Sequence, residues 1–252
     1  MIRQPQEHPV LRVATWNIHK GVQGVGPVRR LEIHNIGHAI EQLDADLVCL
    51  QEVRFVNRRE QRRFPRWPEQ PQADFLAPEG YEPVYRTNAV TRHGEHGNAL
   101  LSRWPVVSHR HEDISDHRFE QRGLLHTHVQ LAGRNVHALV VHLGLIPGSR
   151  ERQVQQLLAY IEREIAAHEP VIVAGDFNDW GSRLTQRLAG AGLHEHQAGA
   201  RTPTYPSRLP LSQLDHVYAR GLRPFSVMVP QGRIWRRMSD HLPLVAEFTW
   251  QD

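Results

Sequence analysis

Four carboxylates, two imidazoles and two amides fall where apolar runs of this chain break off. Asn17 follows Arg12–Trp16, Glu52 follows Leu47–Gln51, His142 follows Val136–Val141 and Asp176 follows Val171–Gly175. Asp215 opens Leu214–Tyr218, and Asp240 and His241 stand just ahead of Leu244–Trp250. In sheet proteins, sites gather where loops leave strand ends. In Gly175-Asp176-Phe177-Asn178 the spacing projects Asp176 and Asn178 to one side. Brought together, Glu52, Asp176, Asp215 and Asp240 would repel and raise one another's pKa values. A divalent cation resolves that repulsion. Hard oxygen donors without thiolate favour Mg2+ or Mn2+ over zinc, and a cation in such a cup binds phosphate well. Taken singly, each residue also reads as a turn-former, a cap or a surface histidine. Their joint occurrence carries the chemistry.

The elements that must position these groups are legible in the periodicity. Leu11–Trp16, Asp46–Gln51, Gly97–Leu101, Val106–His109, Gly123–Leu131 and Asn135–His142 read as strands, the last two joined by a turn at Gly133–Arg134. Pro170–Gly175, Leu214–Tyr218, Phe225–Val229 and Leu244–Trp250 read the same way. Val28–Leu43 suits a helix with Leu31, Ile36, Ala39, Ile40 and Leu43 as its stripe. A second helix runs from a Ser149 cap to about Ala167, and Ser182–Ala189 forms a short third. Val53–Pro83, rich in Pro and Arg, reads as an irregular excursion of loops on one face. Strands and helices mixed throughout imply an α/β fold of stacked sheets with helices outside.

Composition bounds the rest. The 252 residues, 40% hydrophobic and 23% charged, make one domain, 1–252, with 1–9 a disordered N-terminal extension. No apolar run approaches the roughly 20 residues of a membrane-spanning helix, and Met1–Pro9 has no signal-peptide core. The cytoplasm is the expected compartment and a monomer the expected state. The single Cys49 excludes an internal disulfide framework and a cysteine zinc site. Of 30 basic residues only Lys20 is a lysine, and the net charge is +3. Arg58, Arg59, Arg62, Arg63 and Arg66 interleave with Phe64 and Trp67, and Arg233, Arg236 and Arg237 surround Trp235. Such clusters suit a nucleic-acid backbone with stacked bases, or are simply solvated arginine loops. The His-x-His pairs 109/111, 126/128 and 194/196 read as surface histidines. Leu143–Pro147 is the only modest candidate for an apolar membrane-contact loop.

Seven ordered segments between residues 11 and 250 resemble the endonuclease/exonuclease/phosphatase superfamily, the metal-dependent phosphohydrolases that include DNase I and exonuclease III. They are Thr15–Lys20, Leu50–Val53, Gly97–Arg103, Val141–Leu143, Gly175–Asn178, Leu214–Val217 and Ser239–Pro243. The resemblance implies a four-layer α/β sandwich, two mixed sheets face to face with helices outside. It implies Glu52 as principal metal ligand, with Asn17 beside it and Asp240 near the metal directly or through water. Asp176 would orient and deprotonate the attacking water, and Asn178 would hold that water or a phosphate oxygen. His241 would stabilise phosphoryl charge, oriented by Asp215, and His142 would contact phosphate and assist the leaving group. His19 stands where repair enzymes carry an acidic ligand, so a second metal is not implied. Arg122, Lys20 and Asn98 are the candidate substrate-binding residues, although Arg122 could equally pair with Glu120. The reading is a Mg2+- or Mn2+-dependent phosphodiester hydrolase, foremost a nuclease acting on DNA or RNA. The alternative is a hydrolase of a phospholipid or small phosphodiester, as in the sphingomyelinase branch.

Overall fold

The computed structural model describes residues 10–251 except 25, 132, 182 and 197–200, so the expected extension at 1–9 lies outside the described residues. In chain order the elements are β1 (Leu11–Asn17), β2 (Val22–Gln23), β3 (Arg30–Leu31), α1 (Ile33–Leu43), β4 (Leu47–Asn57), α2 (Arg58–Arg63) and α3 (Gln72–Leu76). Next come β5 (Glu82–Thr91), β6 (Gly94–Ser102), β7 (Val106–Asp113), β8 (Gly123–Leu131), β9 (Arg134–His142), α4 (Pro147–Glu164) and β10 (Val171–Asp176). The chain closes with α5 (Arg183–Gly190), β11 (His194–Glu195), β12 (Asp215–Arg220), β13 (Leu222–Met228), α6 (Trp235–Met238) and β14 (Leu244–Trp250).

Two mixed six-stranded sheets form, ordered β13-β14-β1-β4-β6-β5 and β11-β12-β10-β9-β8-β7. Alternation decides which face each side chain takes. On β9, Val136, Ala138 and Val140 face the first sheet's Leu47, Cys49 and Leu100, while Leu139 and Val141 face outward onto α4. Ile33, Ile36 and Ile40 of α1 cover Trp16, Leu50 and Leu101 on the other outer face. The central strands are buried on both faces, which is why they read as near-continuous apolar runs. The four-layer α/β sandwich is thus the architecture found. Among the described residues no helix is long and apolar enough to cross a membrane.

Several element boundaries differ from expectation, for local reasons. Residues 29–32 are not helical: Val28 closes a short 3-10 turn (Gly26–Val28), Arg30–Leu31 pairs with Val22–Gln23 as a small ribbon, and the α-helix starts at Ile33. The excursion at 53–83 is more regular than its composition suggests. There β4 runs on to Asn57, whose side chain caps α2 by accepting from Glu60 N at 2.9 Å, and β5 begins at Glu82. Ser149 does not cap α4. Pro147, pre-set in φ, opens the helix, and the Ser149 hydroxyl instead donates to Asp116 at 2.6 Å. The β8–β9 hairpin closes with Leu131 opposite Arg134, one residue earlier than expected. His126 and His196 are buried and are not surface histidines. His126 bridges Tyr160 Oη and His137 Nδ1, each at 2.9 Å, beneath α4.

Candidate active site

Register alone aligns three of the chemical groups. On the second sheet Asp176 stands opposite His142 on β9 and opposite Asp215 on β12, so the three form a row at one sheet edge. The first sheet brings Asn17, at the end of β1, to face that row. Its Nδ2 donates to Asp176 Oδ2 at 3.0 Å and bridges the two sheets. Asn178 follows with a left-handed φ of 50°, its backbone N–H donating to Asp176 Oδ1 at 3.0 Å and its Nδ2 to Leu143 O at 2.9 Å. The 239–241 segment is locked against β1 at two points. Ser239 Oγ donates to Asn17 O at 2.6 Å, and Trp16 Nε1 donates to His241 O at 2.9 Å. His241 Nδ1 then pairs with Asp215 Oδ2 at 2.8 Å, an oxygen that also accepts from Thr204 Oγ1 at 2.5 Å.

Glu52 reaches the edge through a bulge. The β4–β6 register slips between Leu50 and Val53, and Glu52 takes a φ of 57°. The side chain of Gln51 stays inside on Thr15 and the Cys49 carbonyl. Glu52 Oε2 meets Lys20 Nζ at 2.8 Å. Asp240 Oδ2 meets His19 Nδ1 at 3.1 Å. Among the described residues, the non-glycine residues with left-handed φ are His19, Lys20, Glu52, Asn178 and the distant Asp44. Backbone strain is therefore concentrated here, as at sites whose geometry the fold over-determines.

The electrostatics separate the roles. Burial would lower the His241 pKa, but the carboxylates of Asp215 and Asp176 outweigh it and push it up to about 10. Burial pushes Asp176 up to about 6, with His241 opposing and Asp215 adding. Burial and the nearby Arg122 hold His142 well below its ordinary value, so it is neutral at pH 7. Burial also opposes ionisation of Glu52, yet the Lys20 ammonium keeps it far below the usual carboxylate range. The site thus pairs a carboxylate of raised proton affinity with a cationic imidazole 3.7 Å away.

Two sets of residues could hold a metal. Ligand atoms of Asp176, Asp215 and His241 lie within 4.8 Å of one another. The His241 Nδ1–Asp215 Oδ2 hydrogen bond already ties two of these side chains to each other, so this trio fits catalysis better than ligation. Glu52, Asn17 and Asp240 offer oxygen only, and the Lys20 ammonium shows that positive charge is accepted beside Glu52. That set fits a hard divalent cation.

The three candidate substrate contacts fare differently. Lys20 is held by Glu52. Arg122 pairs with Glu120 at 3.0 Å. Asn98 directs both amide hydrogens to backbone, at Gly123 O and Val140 O, and ties the two sheets together. Sequence reasoning missed Thr204, an ordinary loop residue ahead of Asp215, and gave no role to Ser239 within the Ser239–Pro243 segment. It also missed Tyr205, whose ring lies 4.9 Å from that of His241.

The profile of the endonuclease/exonuclease/phosphatase family matches residues 14–241, which takes in every group of this site. The chain belongs to this family. Its members are hydrolases of phosphate esters and phosphodiesters, and an endonuclease/exonuclease/phosphatase hydrolase is what the site's chemistry fits. The chain is 36% identical over 243 residues to the uncharacterized Escherichia coli K12 protein YbhP, covering 94% of this chain and 95% of YbhP. The fold is also that of an endonuclease/exonuclease/phosphatase from Beutenbergia cavernae (TM-score 0.79, 22% identity), covering 96% of this chain and 72% of that one. A mannosyl-6-phosphatase from Bacteroides thetaiotaomicron shares it too (TM-score 0.73, 18% identity), with 94% and 99% covered.

Proposed function

We propose that this protein is a divalent-cation-dependent phosphodiester hydrolase in which Asp176 aligns and deprotonates the attacking water. One observation carries the reading: a buried carboxylate, fixed by Asn17 and the Asn178 N–H at 3.0 Å each, beside an imidazolium that Asp215 anchors. Burial raises the proton affinity of Asp176 and makes it a stronger base than an exposed aspartate. The charge on His241 suits it to stabilise the negative charge that grows on the phosphoryl oxygens. His142, neutral and 3.5 Å from Asp176 Oδ2, is free to hydrogen-bond the phosphate or leaving group. Glu52, Asn17 and Asp240 would hold Mg2+ or Mn2+, which when bound supplies Lewis acidity to the phosphoryl group.

The test is hydrolysis of bis(p-nitrophenyl) phosphate with added Mg2+ or Mn2+. Asp176→Asn should cut turnover by about 10²- to 10⁴-fold with folding intact; retained activity removes Asp176 as the base. Equal rates with Zn2+ and Mg2+ would remove the hard-ligand argument. A nucleic-acid substrate is favoured by the concavity of about 670 Å3 that Arg58, Arg59, Arg62, Arg63, Arg92 and His93 line. Metal-dependent nicking of supercoiled plasmid, absent in Asp176→Asn, is the outcome a nuclease requires. The apolar tips of the loops around the site favour another presentation of the diester.

A further inference from the structure

The loops that leave the catalytic edge of the second sheet end in exposed apolar side chains. Phe119 in the β7–β8 loop, Leu145 and Ile146 after His142, Trp180 after Asn178, and Leu209 and Leu211 ahead of β12 are 53–81% exposed. They lie around the catalytic groups in two sets. Leu145 N donates to Glu120, the neighbour of Phe119, at 3.1 Å. On the other side the Trp180 ring meets Tyr205 edge-on at 5.8 Å, Tyr205 adjoins His241, and Leu211 N donates to Tyr205 O at 3.0 Å. Among the described residues, the loops of the opposite edge (44–46, 103–105, 165–170, 191–193 and 221) carry no exposed large apolar side chain. Isolated exposed apolar residues are ordinary, and others such as Phe55, Val107 and Phe225 stand on strands β4, β7 and β13, but six gathered on the loops of the edge that holds the chemistry mark an interaction surface.

Charge accompanies it. Arg208, Arg233, Arg236 and Arg237 line, with Arg30, an open concavity of about 400 Å3 next along the chain from Leu209. None of the first four has a carboxylate partner among the described residues. Unpaired guanidinium forks beside apolar tips suit a partner that is anionic at its surface and hydrocarbon beneath.

The aromatics expected to stack bases are engaged elsewhere. Trp235 packs on Trp16 at 6.0 Å, and Phe64 and Trp67 stack on each other with Arg63 and Arg54 over their faces. Four of the six tips are aliphatic and offer no π-face to a base. We infer that the catalytic edge is a docking face for an anionic lipid bilayer, which presents the diester at the lipid–water interface. Presentation of a substrate rests on the phosphodiesterase reading above; docking itself does not.

Sedimentation of the full chain with vesicles tests docking without turnover, using Asp176→Asn protein. The protein should sediment with vesicles of equal parts phosphatidylglycerol and phosphatidylcholine, and at least tenfold more weakly with phosphatidylcholine alone. Leu145→Asp with Ile146→Asp, and separately Leu209→Asp with Leu211→Asp, should each lower partition at least tenfold with unchanged circular dichroism. If an aspartate pair fails to fold, Arg233→Glu with Arg237→Glu, at exposed positions, should give the same loss. No sedimentation with the anionic vesicles, or sedimentation indifferent to all these substitutions, overturns the inference. So does binding of an oligonucleotide that the same substitutions weaken while vesicles retain no protein. Loss of the wild-type activity on bis(p-nitrophenyl) phosphate would sink the phosphodiesterase reading and leave the sedimentation result standing.

Discussion

At His241, an imidazole that burial alone would keep neutral is held protonated by two carboxylates. Its positive charge therefore depends on Asp215. Replacing Asp215 by Asn removes one negative charge and the oriented acceptor of Nδ1–H, so the His241 pKa should fall from about 10 towards its ordinary value. Turnover should drop by about 10²-fold or more, the usual size of a lost charge-stabilising contact. An NMR titration of the His241 ring beside a rate assay checks both; an unmoved His241 pKa would show that Asp215 does not hold the charge. At this scale the sequence was generous. Asn17, Glu52, His142, Asp176, Asn178, Asp215, Asp240 and His241 are all single letters close to where an apolar run breaks off. What it could not show was partnership. Whether Arg122 reaches substrate or Glu120, and whether the Asn98 amide points at a ligand or at two carbonyls, depends on chain segments more than 20 residues distant in the case of Asn98.

Strand β10 carries Asp176 only because β9 comes close. A Cβ on Gly175 would stand 1.9 Å from Val141 O, a backbone atom that cannot swing away. Gly175→Ala should therefore destabilise by about 3 kcal/mol or more, at the upper end of overpacking. It should also shift Asp176 away from Asn17. Urea unfolding measures the first effect, and a near-wild-type midpoint would show that β9 and β10 yield easily. For α2, Asn57→Ala removes the only side-chain cap and should cost about 1 kcal/mol, read from the same midpoint. These elements also show where sequence reading loses resolution. The bulge at Glu52 breaks the period-two pattern of β4, and the arginines beyond it disguise the strand as a loop. Its continuation is secured by pairing with β6 across sequence, Arg54 opposite His96 and Asn57 opposite Gly94, which no local propensity encodes.

The whole molecule stores a pH dependence in histidines remote from the chemistry. Burial holds His126 and His196 down to about 4. In the unfolded chain each titrates near 6.5. Between those values the unfolded state binds protons that the folded state refuses, so stability rises with pH and is lost as pH falls from about 6.5 towards 4. Full expression of both shifts is worth at most about 3 kcal/mol per histidine. Urea midpoints measured across that range should fall with pH, and His196→Gln should flatten the slope. An equal slope in the variant would remove His196 from the account.

Residue types, their order and their period were enough to single out eight chemical groups where apolar runs break off, to make a divalent cation the expectation among them and to specify a sandwich of stacked sheets. That much is local, because apolar alternation and helical spacing act over a few residues. The tertiary structure alone decided three further things. Antiparallel and parallel registers put His142, Asp176 and Asp215 in one row and set Asn17 against it from the other sheet. Burial raised the proton affinity of Asp176, and the neighbouring carboxylates raised that of His241 against its own burial. Apolar tips scattered over four loops, too few in any one to make a run, were gathered around the catalytic edge. Sequence separation hides such convergence, because neighbours in space are chosen by how the whole chain packs.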